Sequence, residues 1–264
     1  MWLADADQAV ILDCRFPAAS LGHDAGSVRR IQGAALRGVN GARTAGRCRG
    51  GIETVQVLII GASQGIGLET ARRALAAGHR VRAFARSATA MAFSDPNLEK
   101  VRGDALQAHD VESALRGMDV VIQTLGVRVG DLFRPVQLFS EATRVLIAAM
   151  RAQGVKRLIC VTGFGAGDSG ASISWLQRLP FKIVFGRAYE DKSRQERLIH
   201  ESGLEWTIVR PGVLTGGART GRYKILSEAA QWRNGIISRA DVADFLVRQI
   251  NDQTYLRQAP VLVN

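Results

Sequence analysis

Three glycines between a buried-strand pattern and a helix pattern constrain the fold of this chain more than any other feature. Residues 55–60 are mostly apolar and β-branched, as in a buried parallel strand. Residues 65–77 then place apolar side chains at helical spacing, and Gly78 ends the pattern. The connecting turn reads Gly61-Ala62-Ser63-Gln64-Gly65-Ile66-Gly67. A glycine turn in this context predicts a phosphate-binding loop, because a helix N-terminus presents unpaired N–H groups to an anion.

Each glycine of the turn has its own predicted task in binding a dinucleotide. Gly61 permits the tight turn, and Gly65 lets the backbone approach the pyrophosphate because no Cβ is in the way. Gly67 lets the helix pack closely on the strand. The binding loop is expected to include the other residues of the turn, Ser63, Gln64 and Ile66. A merely structural glycine turn is the alternative interpretation.

The rest of the chain alternates between strand and helix patterns. Further strands are predicted at residues 81–85, 97–101, 119–124, 157–162, 206–209 and 260–263, and further helices at 111–118, 139–152, 189–201 and 238–250. This alternation predicts an α/β fold, a doubly wound and mostly parallel Rossmann sheet with helices on both faces. We expect a single domain over residues 54–264 with a small C-terminal substrate region, in which residues 214–223 form the substrate-side loop.

Residues 1–53 differ from the rest of the chain. Their segment from 22 to 51 is rich in Gly, Arg and Ala and has neither a sustained 3.6-residue nor a 2.0-residue period. We therefore expect residues 1–53 to be disordered and to lie outside the domain. A functional tail and a start codon placed too early both fit this pattern.

Composition excludes several other classes of function. The chain has 35 Lys and Arg against 24 Asp and Glu, but the basic residues are scattered, which argues against nucleic-acid binding. Three dispersed cysteines and four histidines without metal-ligand spacing predict no disulfide framework and no metal site. The sequence contains neither an apolar run of about 20 residues nor a signal-peptide pattern. We expect a cytoplasmic monomer or homodimer that acts on a small molecule and does not bind a membrane.

The end of the second predicted strand indicates which dinucleotide is bound. NAD-binding sites place an acidic residue there to hold the ribose hydroxyls. This chain has no acidic residue between Glu69 and Asp95, and it has Arg86 at the end of the strand. A guanidinium binds a 2′-phosphate with two hydrogen bonds, whereas a carboxylate repels it. The pattern predicts NADP(H), with a solvated surface role for Arg86 as the alternative.

Two further strand ends are predicted to contact the cofactor. Asp104 and Ala105 follow the third strand and are expected to approach the adenine, with a loop cap as the alternative role of Asp104. Thr124, Leu125 and Gly126 follow the fourth strand and are expected to line the ribose side. Both expectations rest on the rule that open α/β sheets bind ligands at the carboxyl ends of their strands.

Several separated motifs resemble the atypical group of short-chain dehydrogenases/reductases. The turn has the spacing G-x-x-x-G-x-G, and the motifs lie at residues 161–168, 191–196, 202–212 and 237–243. The resemblance covers residues 55–264. The group includes NAD(P)H-binding proteins, flavin and biliverdin-type reductases, and NmrA-like proteins.

The resemblance implies a set of catalytic residues that this chain matches only in part. Ordinary relatives use a Tyr as proton donor, a Lys four residues later that also holds the nicotinamide ribose, and a Ser that orients the substrate. Here Tyr189 and Lys192 are three residues apart, which turns the Tyr by about 100° on the helix. Lys192 is implied to contact the ribose, and Tyr189 is either a proton donor or a packing residue. The serine role falls to Thr162, to Ser169, or to no hydroxyl.

The chain beyond the sixth strand is expected to form the substrate side of the site. Pro211 and Val213 are predicted to pass the nicotinamide amide, where proline has no N–H to compete. Four aromatic residues are candidates for an apolar pocket or for core packing: Trp175, Phe181, Phe185 and Tyr223.

These observations predict an NADP(H)-dependent oxidoreductase that transfers hydride to a small carbonyl, quinone or flavin-like acceptor. The incomplete catalytic set leaves two alternatives open. One is a non-catalytic NADP(H)-binding sensor or regulator of the NmrA-like kind. The other is a sugar-type epimerase or dehydratase, against which the small substrate region counts.

Overall fold

A computed structural model describes residues 54–126, 137–172 and 175–264, except for the side chains of residues 170–187. The predictions for residues 1–53 lie outside the described part of the chain. So do the side chains of three of the four candidate pocket aromatics, Trp175, Phe181 and Phe185.

Eight strands form one mostly parallel sheet, as the alternating pattern predicts. The described residues form ten strands in all, which are β1 (Gln56–Ile60), β2 (Arg80–Ala85), β3 (Leu98–Arg102), β4 (Val120–Gln123), β5 (Arg157–Val161), β6 (Glu205–Pro211), β7 (Val213–Thr215), β8 (Lys224–Leu226), β9 (Ile236–Ser238) and β10 (Val261–Val263). The sheet order is β3-β2-β1-β4-β5-β6-β10-β8, and only the β8–β10 pair is antiparallel. The short strands β7 and β9 pair separately. The chain turns back at β1 and β4, which makes the sheet doubly wound.

Helices cover both faces of the sheet. They are α1 (Gly65–Ala76), α2 (Ala108–Leu115), α3 (Leu138–Gln153), α4 (Trp175–His200) and α5 (Arg239–Arg248). Strand β1 shows why two layers form, because its side chains alternate between the faces. Val57 and Ile59 pack with α1 and α5, whereas Leu58 and Ile60 pack with α2 and α3. All four side chains are at most 1% exposed, as expected for a central parallel strand.

Several element bounds differ from the prediction. Helix α4 begins at Trp175 rather than at residue 189, although Pro180 and Gly186 lie inside it. Both residue types interrupt a helical pattern when it is judged from propensity alone. Helix α2 begins three residues earlier than predicted, and the three-residue strands β7, β8 and β9 were not predicted. The capping pattern at Ser238 is confirmed, since its hydroxyl accepts a hydrogen bond from the Asp241 N–H at 3.0 Å.

The described residues can be searched for membrane-spanning helices and for metal-binding clusters. Within that part of the chain, no helix combines the length and apolarity needed to cross a membrane. The same residues contain no group of three or more His, Cys, Asp or Glu side chains that could hold a metal ion.

Candidate functional site

The glycine turn joins β1 to α1 in a conformation that larger residues would disturb. Gly61 has a φ of +87°, and its N–H donates to the Phe84 carbonyl at 2.9 Å, which ties the turn to β2. A Cβ on Gly67 would lie 2.2 Å from the Gly61 carbonyl oxygen and 2.6 Å from Thr124 Oγ1. Gly67 therefore permits the close packing of helix on strand that its position predicts.

The start of α1 is open to an anion. Gly65 has a φ of +59°, and a Cβ built on it would meet no atom within 4 Å. Gln64 precedes the helix in an extended conformation without a side-chain cap, and the first turn contains no acidic residue. The first N–H groups of a helix have no partner within the helix, so they can bind phosphate oxygens here. The cradle fits the pyrophosphate of a dinucleotide.

The end of β2 places one cation beside this cradle. Arg86 is exposed directly after β2, and the neighbouring Ser87 hydroxyl donates to Ser63 Oγ in the glycine turn at 3.0 Å. Arg82 is not available to bind a phosphate, because its guanidinium is bound to Glu99 at 2.6 Å. The predicted contact of Arg86 with a 2′-phosphate stays a prediction.

The ends of β3 and β4 lie at the same edge of the sheet. Asp104 Oδ1 accepts a hydrogen bond from the Leu106 N–H at 3.0 Å, so this carboxylate caps its own loop. Ala105 beside it is buried. The predicted contact of these residues with adenine stays a prediction.

The loop after β4 is tied to the glycine turn. The Thr124 N–H and hydroxyl both donate to the Ile60 carbonyl at 2.9 Å, immediately before the glycine turn. Leu125 is half-buried and Gly126 is exposed. The predicted ribose-side residues therefore adjoin the predicted phosphate-binding residues.

The three candidate catalytic residues lie together at the end of β5. The Lys192 ammonium donates to the Thr162 carbonyl and lies 4.7 Å from the centre of the Phe139 ring. The Tyr189 hydroxyl packs against Gly163, 3.0 Å from where a Cβ would be. The three-residue spacing of Tyr189 and Lys192 therefore still brings both side chains to one strand end.

Burial changes the acidity of both helix residues. Burial lowers the pKa of Lys192 to about 8, with opposing contributions from Cys160, Glu196 and Asp191. Burial also raises the pKa of Tyr189. At neutral pH the Tyr189 hydroxyl consequently keeps its proton, whereas Lys192 is charged but close to its titration range.

The hydroxyl of Thr162 is engaged with a buried ion pair that sequence reasoning missed. Thr162 Oγ1 donates to Glu196 Oε1 at 2.7 Å. Arg210 Nη2 contacts Glu196 Oε2 at 2.6 Å and Asp168 Oδ1 at 2.5 Å. Thr162 has only one hydroxyl hydrogen, so in this arrangement it can offer a substrate only its lone pairs.

Two signals in the sequence point to this ion pair. Glu196 lies four residues after Lys192 and therefore on the same face of α4. Arg210 ends an otherwise apolar run in β6, where a charged residue needs a buried partner. The other serine-role candidate, Ser169, is buried, and its hydroxyl donates to the Ala166 carbonyl at 2.6 Å within its own loop.

The substrate-side residues separate into two groups. Pro211 is buried, while Val213 on β7 and its strand partner Ile236 are 56% and 58% exposed. Tyr223 packs edge-on against Phe245 of α5, and its hydroxyl donates to Asp244 at 3.1 Å. Tyr223 therefore packs on the α5 side, where it also lines a groove with Ile225 and Arg248.

Comparisons with known proteins agree with this geometry. A family model described as NAD(P)H-binding matches residues 61–253. The solved structure of ChuY, an anaerobillin reductase from Escherichia coli O157:H7, is 30% identical with a TM-score of 0.67, covering 79% of this chain and 96% of that chain. An uncharacterized chloroplastic protein of Arabidopsis thaliana is 29% identical over 211 residues, 78% of this chain and 75% of that protein.

A more distant structure shows the fold alone. A short-chain dehydrogenase/reductase from Veillonella parvula, solved in complex with NADP, has a TM-score of 0.67 at 17% identity. The alignment covers 80% of this chain and 94% of that chain.

Proposed function

The chain belongs to the NAD(P)H-binding family of atypical short-chain dehydrogenases/reductases, and from this premise we propose that it is an NADP(H)-dependent oxidoreductase. Its acceptor is a small carbonyl, quinone or flavin-like molecule. The observation that carries the proposal is the meeting of Lys192, Tyr189 and Thr162 at the end of β5, next to the strands that hold the glycine turn.

Arg86 supports NADP(H) over NAD(H). It is exposed beside the open start of α1, and its neighbour Ser87 is bonded to the glycine turn. A bidentate guanidinium–phosphate contact there favours the 2′-phosphate of NADP(H), and no acidic residue stands between Glu69 and Asp95 to hold a free 2′-hydroxyl.

The residues at the end of β5 have separate tasks in the proposed reaction. NADPH, when bound, supplies the hydride. Lys192 orients the nicotinamide ribose and adds positive charge to the site. Tyr189 keeps its proton at neutral pH, because burial raises its pKa, and it can donate that proton to a reduced acceptor. Phe139 packs against the Lys192 ammonium, and the Thr162 carbonyl accepts a hydrogen bond from it.

Two exposed apolar side chains lie on the proposed acceptor side. Val213 and Ile236 form an exposed strand pair just beyond β6, where the nicotinamide is expected. An exposed apolar patch beside a cofactor site is suited to a conjugated acceptor. The relative from Escherichia coli is named a reductase, which supports the reductive direction.

A turnover assay tests the oxidoreductase. Purified protein is mixed with NADPH and a panel of quinones, flavins and aldehydes, and the loss of nicotinamide absorbance is followed. We expect oxidation with at least one acceptor class and a rate at least about 100-fold lower for Lys192→Ala. Glu190→Ala, an exposed neighbour on the same helix, is the control and keeps the rate. Binding without turnover on every acceptor, unchanged by Lys192→Ala, contradicts the proposal.

A second experiment tests the choice of cofactor. Arg86→Ala is expected to weaken NADPH binding by about 10-fold to 100-fold and to leave NADH binding nearly unchanged. Arg80→Ala is the matched control, because Arg80 is exposed at the opposite end of the same strand. Tighter binding of NADH than of NADPH by the unmodified protein rules out the role given to Arg86.

The engaged hydroxyl of Thr162 favours one alternative function. Because Thr162 donates to Glu196, the chain lacks a free hydroxyl at the usual serine position among its described residues. A non-catalytic NADP(H) sensor needs the cofactor cradle but not that hydroxyl. The turnover assay separates the two functions, since a sensor binds NADPH but does not oxidise it in the presence of any acceptor of the panel.

A further inference from the structure

A buried ion pair lies directly behind the candidate catalytic residues. Glu196 on α4 is 2% exposed and Arg210 at the end of β6 is 1% exposed. Two contacts join them, Nη2 to Oε2 at 2.6 Å and Nε to Oε1 at 3.1 Å. The Arg210 guanidinium also lies 4.9 Å from the centre of the Trp232 ring. Such a pair costs desolvation energy, so it is weak evidence for stability, and its contact with Thr162 is the reason to consider a positioning role.

Thr162 connects this ion pair to the site. Its hydroxyl donates to Glu196 Oε1, and its carbonyl oxygen accepts the Lys192 ammonium. Its N–H is held by the Val209 carbonyl at 2.9 Å, one residue before Arg210. The loop after β5 also packs on the carboxylate, because a Cβ on Gly167 would lie only 2.1 Å from Glu196 Oε2.

We propose that Glu196, paired with Arg210, is the positioning residue of the site, which holds Thr162 and the Lys192 ammonium in place for the cofactor. This inference rests on the proposed function only in taking Lys192 as a cofactor contact. Glu196 touches neither cofactor nor substrate, and it acts through Thr162 and through its charge.

The charge of Glu196 affects the pKa of Lys192, which a residue with a purely structural role would not change. The charged and titratable groups near Lys192 in the described chain include Tyr189, Asp191 and Glu196 on its own helix and Cys160 on β5. They also include the partners of Glu196, which are Arg210 on β6 and Asp168 after β5. Glu196 raises the pKa of Lys192 against the effect of burial. Glu196→Gln removes that anion and leaves Arg210 facing Asp168 alone.

The test measures NADPH affinity of the full chain by fluorescence titration between about pH 6 and pH 10. The protein is expected to bind NADPH more tightly when Lys192 is charged. The affinity is therefore highest below the pKa of Lys192 and falls as the pH rises through it, near pH 8 in the unmodified protein. Glu196→Gln is expected to move this loss lower by about one pH unit. Glu190→Gln, the same change at an exposed position of α4, leaves it in place, and Glu196→Asp largely restores it.

Glu196→Gln leaves a buried arginine without its main partner, so a second variant guards against misfolding. The double variant Glu196→Gln/Arg210→Met removes both charges. We expect it to lose NADPH affinity at a lower pH than the unmodified protein, but with a smaller change than Glu196→Gln alone, because the cation is removed together with the anion. If both variants lose affinity at the same pH as the unmodified protein, the inference is wrong. Failure of the unmodified protein to bind NADPH would instead contradict the proposed function.

Discussion

At the scale of single residues, Gly65 separates the needs of folding from those of binding. Its φ of +59° costs any other residue about 1 kcal/mol, but a Cβ there would touch no atom of the protein. That empty space is where the pyrophosphate is expected. The fold therefore tolerates a Cβ at residue 65 at a small cost in stability, whereas cofactor binding requires glycine there.

We predict that Gly65→Ala lowers the free energy of unfolding by about 1 kcal/mol and weakens NADPH binding by at least about 100-fold. Gly78→Ala is the matched control, because Gly78 at the end of α1 has a φ of +84° and equally open surroundings. The control loses similar stability and keeps its affinity. Urea unfolding and NADPH titration measure the two effects, and equal affinity losses in the two variants would show that the cradle is not at Gly65.

At the scale of elements, buried polar side chains fix the described part of helix α4 together with the apolar Ile199. Its buried polar residues include Asp191, Gln195 and Glu196, which together contact α3, β5 and β6. Asp191 caps α3, Gln195 contacts Thr143 of α3 at 3.0 Å and Cys160 of β5 at 3.2 Å, and Glu196 contacts Arg210. Lys192 lies among these anchors, which keeps its ammonium at the end of β5.

The cap of α3 by Asp191 gives the element-scale prediction. Asp191 Oδ2 accepts the N–H of Phe139 at 2.8 Å and that of Ser140 at 3.3 Å, and Oδ1 accepts the Ser140 hydroxyl. Asp191→Ala leaves these buried donors without partners, so we expect a loss of about 2 kcal/mol in the free energy of unfolding.

Glu190→Ala next to it is exposed and is expected to change stability by less than about 0.5 kcal/mol. Urea unfolding at pH 7 distinguishes the two variants. Equal stability in both would mean that water replaces Asp191 as the cap of α3.

The start of α4 shows where local patterns stop being sufficient. Residues 189–201 have helical spacing and were correctly predicted as helix, but the turns before them contain Pro180 and Gly186. Propensity disfavours both residues inside a helix, and tertiary context overrides propensity. The same limit applies to the Glu196–Arg210 pair, which joins residues 14 positions apart on different elements.

At the scale of the whole molecule, the sheet followed from the sequence because its signals are local. A buried β-branched strand, a glycine turn and a helix repeat along the chain, and right-handed crossovers leave few ways to arrange them. Strands β7, β8 and β9 escaped prediction because three residues carry too little periodicity. The edge at which the strand ends gather was predictable, whereas the hydrogen bond of Thr162 to Glu196 joins different elements. The loop cap at Asp104 is local, and the sequence already offered it as one of two roles.

The extent of the domain gives the last prediction. Strand β1 begins at Gln56, whose N–H is held by Asp119 at 2.9 Å, and the family match begins at residue 61. A chain of residues 54–264 is therefore expected to keep the unfolding midpoint of the full chain. NADPH at 100 times its Kd should stabilise both chains by about 2.7 kcal/mol, a rise in Tm of roughly 5–10 °C.

A shorter chain that starts at residue 59 is the control, because it lacks Val57 and Leu58, which are fully buried in the centre of the sheet. It is expected not to fold, since a central strand loses most of its pairing and both core layers lose apolar surface. Thermal unfolding with and without NADPH compares the three chains. If residues 54–264 fold but no longer respond to NADPH, the first 53 residues contribute to the cofactor site and the predicted domain boundary is wrong.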